Sequence, residues 1–135
     1  MKIKNFLQKS TSKEKGAKAE DLAVDYLISK GFKILERNFR TSFGEIDIVA
    51  KKKSTLIFVE VKSEFSEAGF FAEEKITQQK KKKISQVAEY FLLKNLQKLS
   101  KIEEIRFDVI VVKGIKGEIV HYESAFYKEG NFTRY

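Results

Sequence analysis

Three carboxylates and one amine stand where the local pattern calls for apolar side chains. Glu20 falls inside the helical stripe that runs from Leu22 through Ala19, Ala23 and Leu27 to Val24, whereas its neighbours Asp21 and Asp25 fall on the opposite side of the same wheel. Asp47 interrupts Ile46 and Ile48, and Glu60 and Lys62 close the run Thr-Leu-Ile-Phe-Val-Glu-Val-Lys-Ser from Thr55 to Ser63. Side chains alternate along a strand, so Leu56, Phe58, Glu60 and Lys62 share one face and Ile57, Val59 and Val61 the other. Both faces begin apolar, which makes this a central strand whose polar end opens out of the core. A short lysine-rich turn, Lys51 to Ser54, brings Asp47 laterally close to Glu60.

Burying an ionised carboxylate costs several kcal/mol unless a counter-charge or a metal compensates it. An ion pair of Asp47 or Glu60 with Lys62 accounts for one acid and leaves the other, and Glu20, unpaired. A divalent cation held by several oxygens satisfies the group better. The chain has no Cys and a single His, His121, so the oxygen-preferring ions Mg²⁺ and Mn²⁺ are the natural candidates.

Several elements must position these groups. Ala19, Leu22, Ala23, Tyr26 and Leu27 recur at helical spacing and Gly31 stops the pattern, predicting a helix over 16–30. Strands are expected over 32–40, 45–50 and 55–63, the last two forming a hairpin. The stretch 64–76 lacks a period and reads as a loop that moves; core packing is the default for its Phe70 and Phe71 among twelve Phe, with base stacking or a partner contact as the alternatives. Thr77 is a helix cap, and Ile84, Val87, Ala88, Phe91 and Leu92 form the stripe of a second helix reaching about Lys98. Strands at 105–112 and 118–122 follow, around the turn glycines Gly114 and Gly117. Asp108 is expected to be structural, capping or pairing with Arg106 or a helix lysine, and His121 likewise.

With 135 residues, 42% of them hydrophobic, the chain fits one domain with a sizeable core. Residues 1–15 read as a basic arm and 16–135 as the domain. No apolar run exceeds four residues, so neither a membrane span nor a signal-peptide core is expected, and the cytoplasm is the default location. A net charge of +8 suits a polyanionic partner, most simply nucleic acid. Among the cations, Lys80 and Lys81 continue the apolar stripe of the second helix and Arg40 leads into the Gly44 turn. These three are the candidate phosphate contacts, while Lys82 and Lys83 read as solvated.

Asp47, twelve intervening residues, then Glu60-Val61-Lys62 resembles the Asp…Glu-x-Lys signature of the restriction-endonuclease-like nucleases. The surrounding residues are more specific. Gly16-x-x-Ala19-Glu20, Gly31-Phe32, Arg37-Asn38-Phe39-Arg40, Gly44-Glu45-Ile46-Asp47, Phe58-Val59-Glu60-Val61-Lys62, Lys80, Arg106-Phe107-Asp108-Val109 and Ala125-Phe126 together resemble the YraN-type family of small bacterial proteins. The resemblance covers about residues 13–127. It implies an α/β fold with an αβββαβ core and a mixed sheet, similar to that of archaeal Holliday junction resolvases.

It further implies a metal-dependent DNA endonuclease acting on branched or structured DNA, with a noncatalytic nucleic-acid-binding module as the alternative. Asp47 and Glu60 would bind Mg²⁺ or Mn²⁺, Lys62 would act at the attacking water, and Glu20 would match a helix-borne acid of the resolvase-like branch, holding a second cation or orienting a metal-bound water. Paired active sites, and hence a homodimer, would suit resolvase-like action. Glu64 and Gln78 depart from the family pattern, the first by lowering positive charge near the expected cleft.

Overall fold

The computed structural model describes residues 12–64, 77–114 and 116–126, with side chains from residue 16 onward. Its elements in chain order are α1 (Ser12–Ser29), β1 (Lys33–Thr41), β2 (Gly44–Lys52), β3 (Thr55–Glu64), α2 (Gln78–Lys94), β4 (Glu104–Lys113) and β5 (Glu118–Phe126). The order is the αβββαβ core implied by the motifs, extended by one strand. The expected contacts of Phe70 and Phe71 lie outside the described residues, as does most of the basic arm.

One sheet carries the strands in the order β1-β2-β3-β4-β5. Only β3 and β4 run parallel, because α2 crosses over between them, and the remaining neighbours are antiparallel. The alternation read from β3 is the organising pattern. Leu56 and Phe58 pack with Ile84, Val87, Ala88, Phe91 and Leu92 of α2, while Ile57 and Val59 pack with Ala23, Val24 and Leu27 of α1. Phe58 stacks on Phe107, which stacks on Phe126, and Phe91 meets Phe58 edge-on. A strand covered on both faces therefore lies in the middle of the sheet, as its composition requires.

The element ends differ from the expected ones in instructive ways. The first helix begins at Ser12 rather than residue 16, since Ser-Lys-Glu-Lys contains nothing that breaks a helix. The second stops at Lys94 rather than near Lys98. There Asn95 takes the C-cap, its backbone N–H donating to the Phe91 and Leu92 carbonyls and its amide donating to Phe91 O at 2.8 Å. Thr77 caps the start, accepting from Lys80 N–H at 3.1 Å. Strand β3 runs one residue past Ser63, so Glu64 belongs to the ladder opposite Lys113 and is buried.

Asp108 and His121 are structural partners of one another. Asp108, with no exposure at all, accepts from His121 Nε2 at 2.8 Å, from Arg106 Nη2 at 2.9 Å and from Ser124 N–H at 3.0 Å. Burial alone would push its carboxyl up, but the hydrogen bonds from His121, Ser124 and Arg106 outweigh burial and hold it below the usual carboxylate range. A group held low contributes stability that is present above the ordinary carboxylate pKa and is lost as pH falls through the depressed one. Replacing Asp108 with Ala leaves Arg106 and Ser124 N–H without this acceptor and is expected to cost about 3–5 kcal/mol in urea unfolding at neutral pH. The gap from the wild type should close in acid, below the carboxylate range.

Candidate functional site

The site forms where two paired strands separate. The β2–β3 ladder runs from Lys52 opposite Thr55 to Ile48 opposite Val59, and its last pair is Ile48–Val59. Beyond that point β2 stays paired with β1 as far as Gly44 opposite Thr41, and β3 stays paired with β4 as far as Glu64 opposite Lys113. Asp47 lies in the resulting fork, and its Oδ2 accepts from Val61 N–H at 2.8 Å, replacing a bond that the ladder no longer supplies.

Glu60 and Lys62 emerge on the α2 face by continuing the Leu56–Phe58 alternation, and they meet Lys80 from the first turn of α2. Glu60 Oε2 lies 2.6 Å from Lys80 Nζ and 3.2 Å from Lys62 Nζ. The Glu60 side chain is only 12% exposed. A pocket of about 300 Å³ opens here, lined by Gly44, Glu45, Asp47, Glu60, Lys80 and Lys83, with Ile84 at its base.

Electrostatics distinguish Asp47, Lys62 and Lys80. Burial, followed by the negative charge of Glu60, pushes the Asp47 carboxyl up to about 7, and the Val61 hydrogen bond only partly offsets this. Lys62 is lowered by burial and by the adjacent Lys80. Lys80 is raised: burial works against its charge, but the hydrogen bond and the charge of Glu60 outweigh it. The first turn of α2 holds no acid, although acids are the favoured residues there, and Lys80 to Lys83 follow one another instead. Concentrated positive charge at a helix N-terminus is unfavourable in isolation and becomes favourable beside a carboxylate or a phosphate.

The structure thus brings together Asp47, Glu60, Lys62 and Lys80. Glu20 stands beside them rather than in the pocket lining. Its side chain is 17% exposed against 63% for Asp21, so the helix does turn it inward, but Arg37 Nη2 lies 3.8 Å away and Asn38 hydrogen-bonds to it. Burial raises the Glu20 carboxyl, and the Glu20 charge in turn helps to raise Asp47. Among the described residues, no group of three or more acids or histidines is close enough to form a metal cage. The carboxylates at the pocket are Asp47 and Glu60, with Glu45 at its rim.

Of the expected phosphate contacts, Lys80 lines the pocket. Arg40 pairs with Glu45 at 3.3 Å and is largely exposed, and Lys81 lies over the Phe126 ring at 5.9 Å. Lys83, read from the sequence as solvated, is exposed and also lines the pocket. The signal for it was present, since residues three apart on a helix share a face and Lys83 follows Lys80 by three.

The sequence pattern of the family described as "Uncharacterised protein family UPF0102" matches residues 19–112. A UPF0102 protein of Clostridioides difficile is 46% identical over 115 residues, spanning 85% of this chain and 98% of that protein. One from Persephonella marina is 43% identical over 112 residues, spanning 83% of this chain and 92% of that one. Among solved structures, SfsA of Pyrococcus furiosus in complex with Ca²⁺ superposes with a TM-score of 0.36 at 16% identity. That match covers 79% of this chain and 63% of that one.

The raised Asp47 carboxyl has a measurable consequence. A folded pKa above the unfolded one means that ionising Asp47 opposes folding, and this cost grows from about pH 4 to pH 7 and is constant above. Asp47→Asn keeps an oxygen for Val61 N–H and removes the charge. The variant is expected to be more stable than wild type by about 1–3 kcal/mol at pH 8, with the gain shrinking as pH falls toward the ordinary carboxylate range. Urea unfolding across that range reads it directly.

Proposed function

Because the chain belongs to the UPF0102 family, whose description names no activity, its chemistry has to be read from the pocket, and we propose that it is a metal-dependent DNA endonuclease. The substrate class is branched or otherwise structured DNA, and the reaction is phosphodiester hydrolysis. The observation that carries this reading is the meeting of Asp47 and Glu60 at a strand fork with Lys62 and Lys80 beside them.

The donor set fits a hard cation. Only oxygens are offered, from two carboxylates that repel one another, and the Asp47 carboxyl is raised first by burial and then by the Glu60 charge. Magnesium commonly uses one or two carboxylates and completes its shell with water and substrate phosphate, so the pair suffices without a third acid. Asp47 and Glu60 would hold Mg²⁺ or Mn²⁺, which when bound would acidify a water and offset charge gathering on the phosphate oxygens.

The remaining roles belong to the protein's own groups. Lys62 has the lowered pKa and lies 3.2 Å from Glu60, so it is the amine suited to hydrogen-bond the attacking water and share its proton. Lys80 stays charged and, with Lys83, faces the nonbridging oxygens of the scissile phosphate. Its ion pair with Glu60 is the resting arrangement, exchanged for phosphate when substrate enters. Glu20 is a positioning residue here, acting on Asp47 through its charge, and Arg40 and Lys81 extend the basic approach.

Incubation with flaps, four-way junctions and single strands tests the proposal, with Mn²⁺ or with chelator. Cleavage is expected with Mn²⁺ only, lost in Asp47→Ala and reduced about 10²- to 10⁴-fold in Lys62→Ala. Mn²⁺ should also raise the thermal midpoint of the wild type and leave that of Asp47→Ala unmoved. Cleavage that survives chelation or the Asp47 change overturns the metal mechanism. Salt-sensitive DNA binding without turnover favours the noncatalytic module.

A further inference from the structure

A second polar site lies on the other face of the sheet and at its other end. Arg106 stands opposite Ile57 in the β3–β4 register and His121 opposite Ile110, so both belong to the α1 face, whereas Glu60 and Lys62 belong to the α2 face. Thr55, at the rim of this second site, is five residues from Glu60 along β3, or about 17 Å. The pocket holds about 540 Å³ and is walled by Lys30 after α1, Lys52 at the end of β2, Lys53 in the turn that follows, Arg106, Tyr26 and His121.

Its charge is lopsided. Glu123 is the one acid among the lining residues, and it lies 3.6 Å from Arg106 Nη1. Among the described residues no carboxylate pairs with Lys30, Lys52 or Lys53; Lys30 instead lies over the Tyr26 ring at 5.8 Å and Lys52 over Phe32 at 5.6 Å. Gly31, with φ at 94°, turns the chain out of α1 beside Lys52. Arg106 Nε is buried with no hydrogen-bond partner, a costly state for a guanidinium N–H.

Behind the cations stands a fixed polar backing. Ionised Asp108 only accepts, so His121 Nε2 donates to it, and the Nδ1 on the other side of the ring lies 3.0 Å from the Tyr26 hydroxyl. The aromatic wall is therefore held in place by a buried carboxylate, while three lysines around it lack an anion.

We propose that this pocket binds the phosphate of a nucleotide, with Lys30, Lys52 and Lys53 on the phosphate and the Tyr26–Phe32 wall against the base or sugar. The same chemistry is presented by a free nucleoside 5′-phosphate and by the 5′-phosphorylated end of a nucleic-acid strand. The assignment does not rest on the metal-dependent reading, since it uses none of the same residues.

His121 is the single histidine of the chain, so its imidazole resonances report on this pocket alone. Titrating the full-length protein with thymidine 5′-monophosphate at fixed pH and without metal should shift them saturably, and thymidine should not. A double variant Lys30→Gln, Lys53→Gln, which changes only exposed side chains, should weaken binding about tenfold. Asp47→Asn should bind as wild type does, which separates failure here from failure of the nuclease reading. A 5′-phosphorylated oligothymidylate that binds more tightly than both the mononucleotide and its 5′-hydroxyl counterpart identifies a strand end as the ligand, and equal affinity for mononucleotide and phosphorylated strand identifies the free nucleotide. An equal response to thymidine or to inorganic phosphate, or unchanged affinity in the double variant, overturns the proposal.

Discussion

The parting of β2 from β3 after Ile48–Val59 is the constraint on which the candidate site depends. Two antiparallel strands that stayed zipped would set Asp47 and Glu60 side by side in a closed ladder with no room between their carboxyls. Separation is possible because each strand has another neighbour: β2 keeps β1 and β3 keeps β4 to its last residue. The backbone cost is confined to the fork. There the Asp47 carboxylate accepts the Val61 N–H, so one side chain both satisfies the opened backbone and faces the pocket. This double duty explains why Asp47 is buried enough for its carboxyl to rise to about 7.

The fork also sorts the charges. Glu60 is compensated by two ammonium groups on one oxygen, whereas the contact recorded for Asp47 is a single backbone donor. The pair is thus asymmetric, one acid held against two lysines and the other raised by burial and by its neighbour's charge. The lysines are asymmetric as well. Lys80 is raised by Glu60, while Lys62, squeezed between burial and Lys80, is lowered. Groups of one chemical type driven in opposite directions within one pocket are the pattern expected where proton transfer and anion binding are divided between them.

Much of this was legible in the sequence because strand alternation is a strict period. Once Leu56 and Phe58 face one layer, Glu60 and Lys62 must follow, and Thr77 and the Ile84–Leu92 stripe place α2 over them. The inward turn of Glu20 was legible for the same reason. What it meets was not, because Arg37 and Asn38 approach from β1, a strand with a register shift after Ile34 and a positive φ at Asn38. The Tyr26–His121 contact joins residues 95 apart in the chain and follows from no local pattern. Lys83 is exposed, as a run of four lysines suggests, yet it also lines the pocket, which the run by itself does not single out.

The two polar centres are separated by the best-packed part of the molecule. Ile57, Val59 and Ile110 fill the α1 side of the sheet, and Phe58, Val109 and Val111 the α2 side, all of them at most 1% exposed. Glu60 and Lys62 on the α2 face are therefore set apart from Arg106 and His121 on the α1 face by apolar side chains of both layers. Asp47 and Asp108 illustrate the result. Both interrupt apolar strands, yet the first is raised beside another acid and the second is lowered among three donors. The same residue in the same kind of sequence context is directed to opposite ends by what the sheet's two faces bring to it, so the chemistry of each centre follows from topology rather than from the motif that carries it.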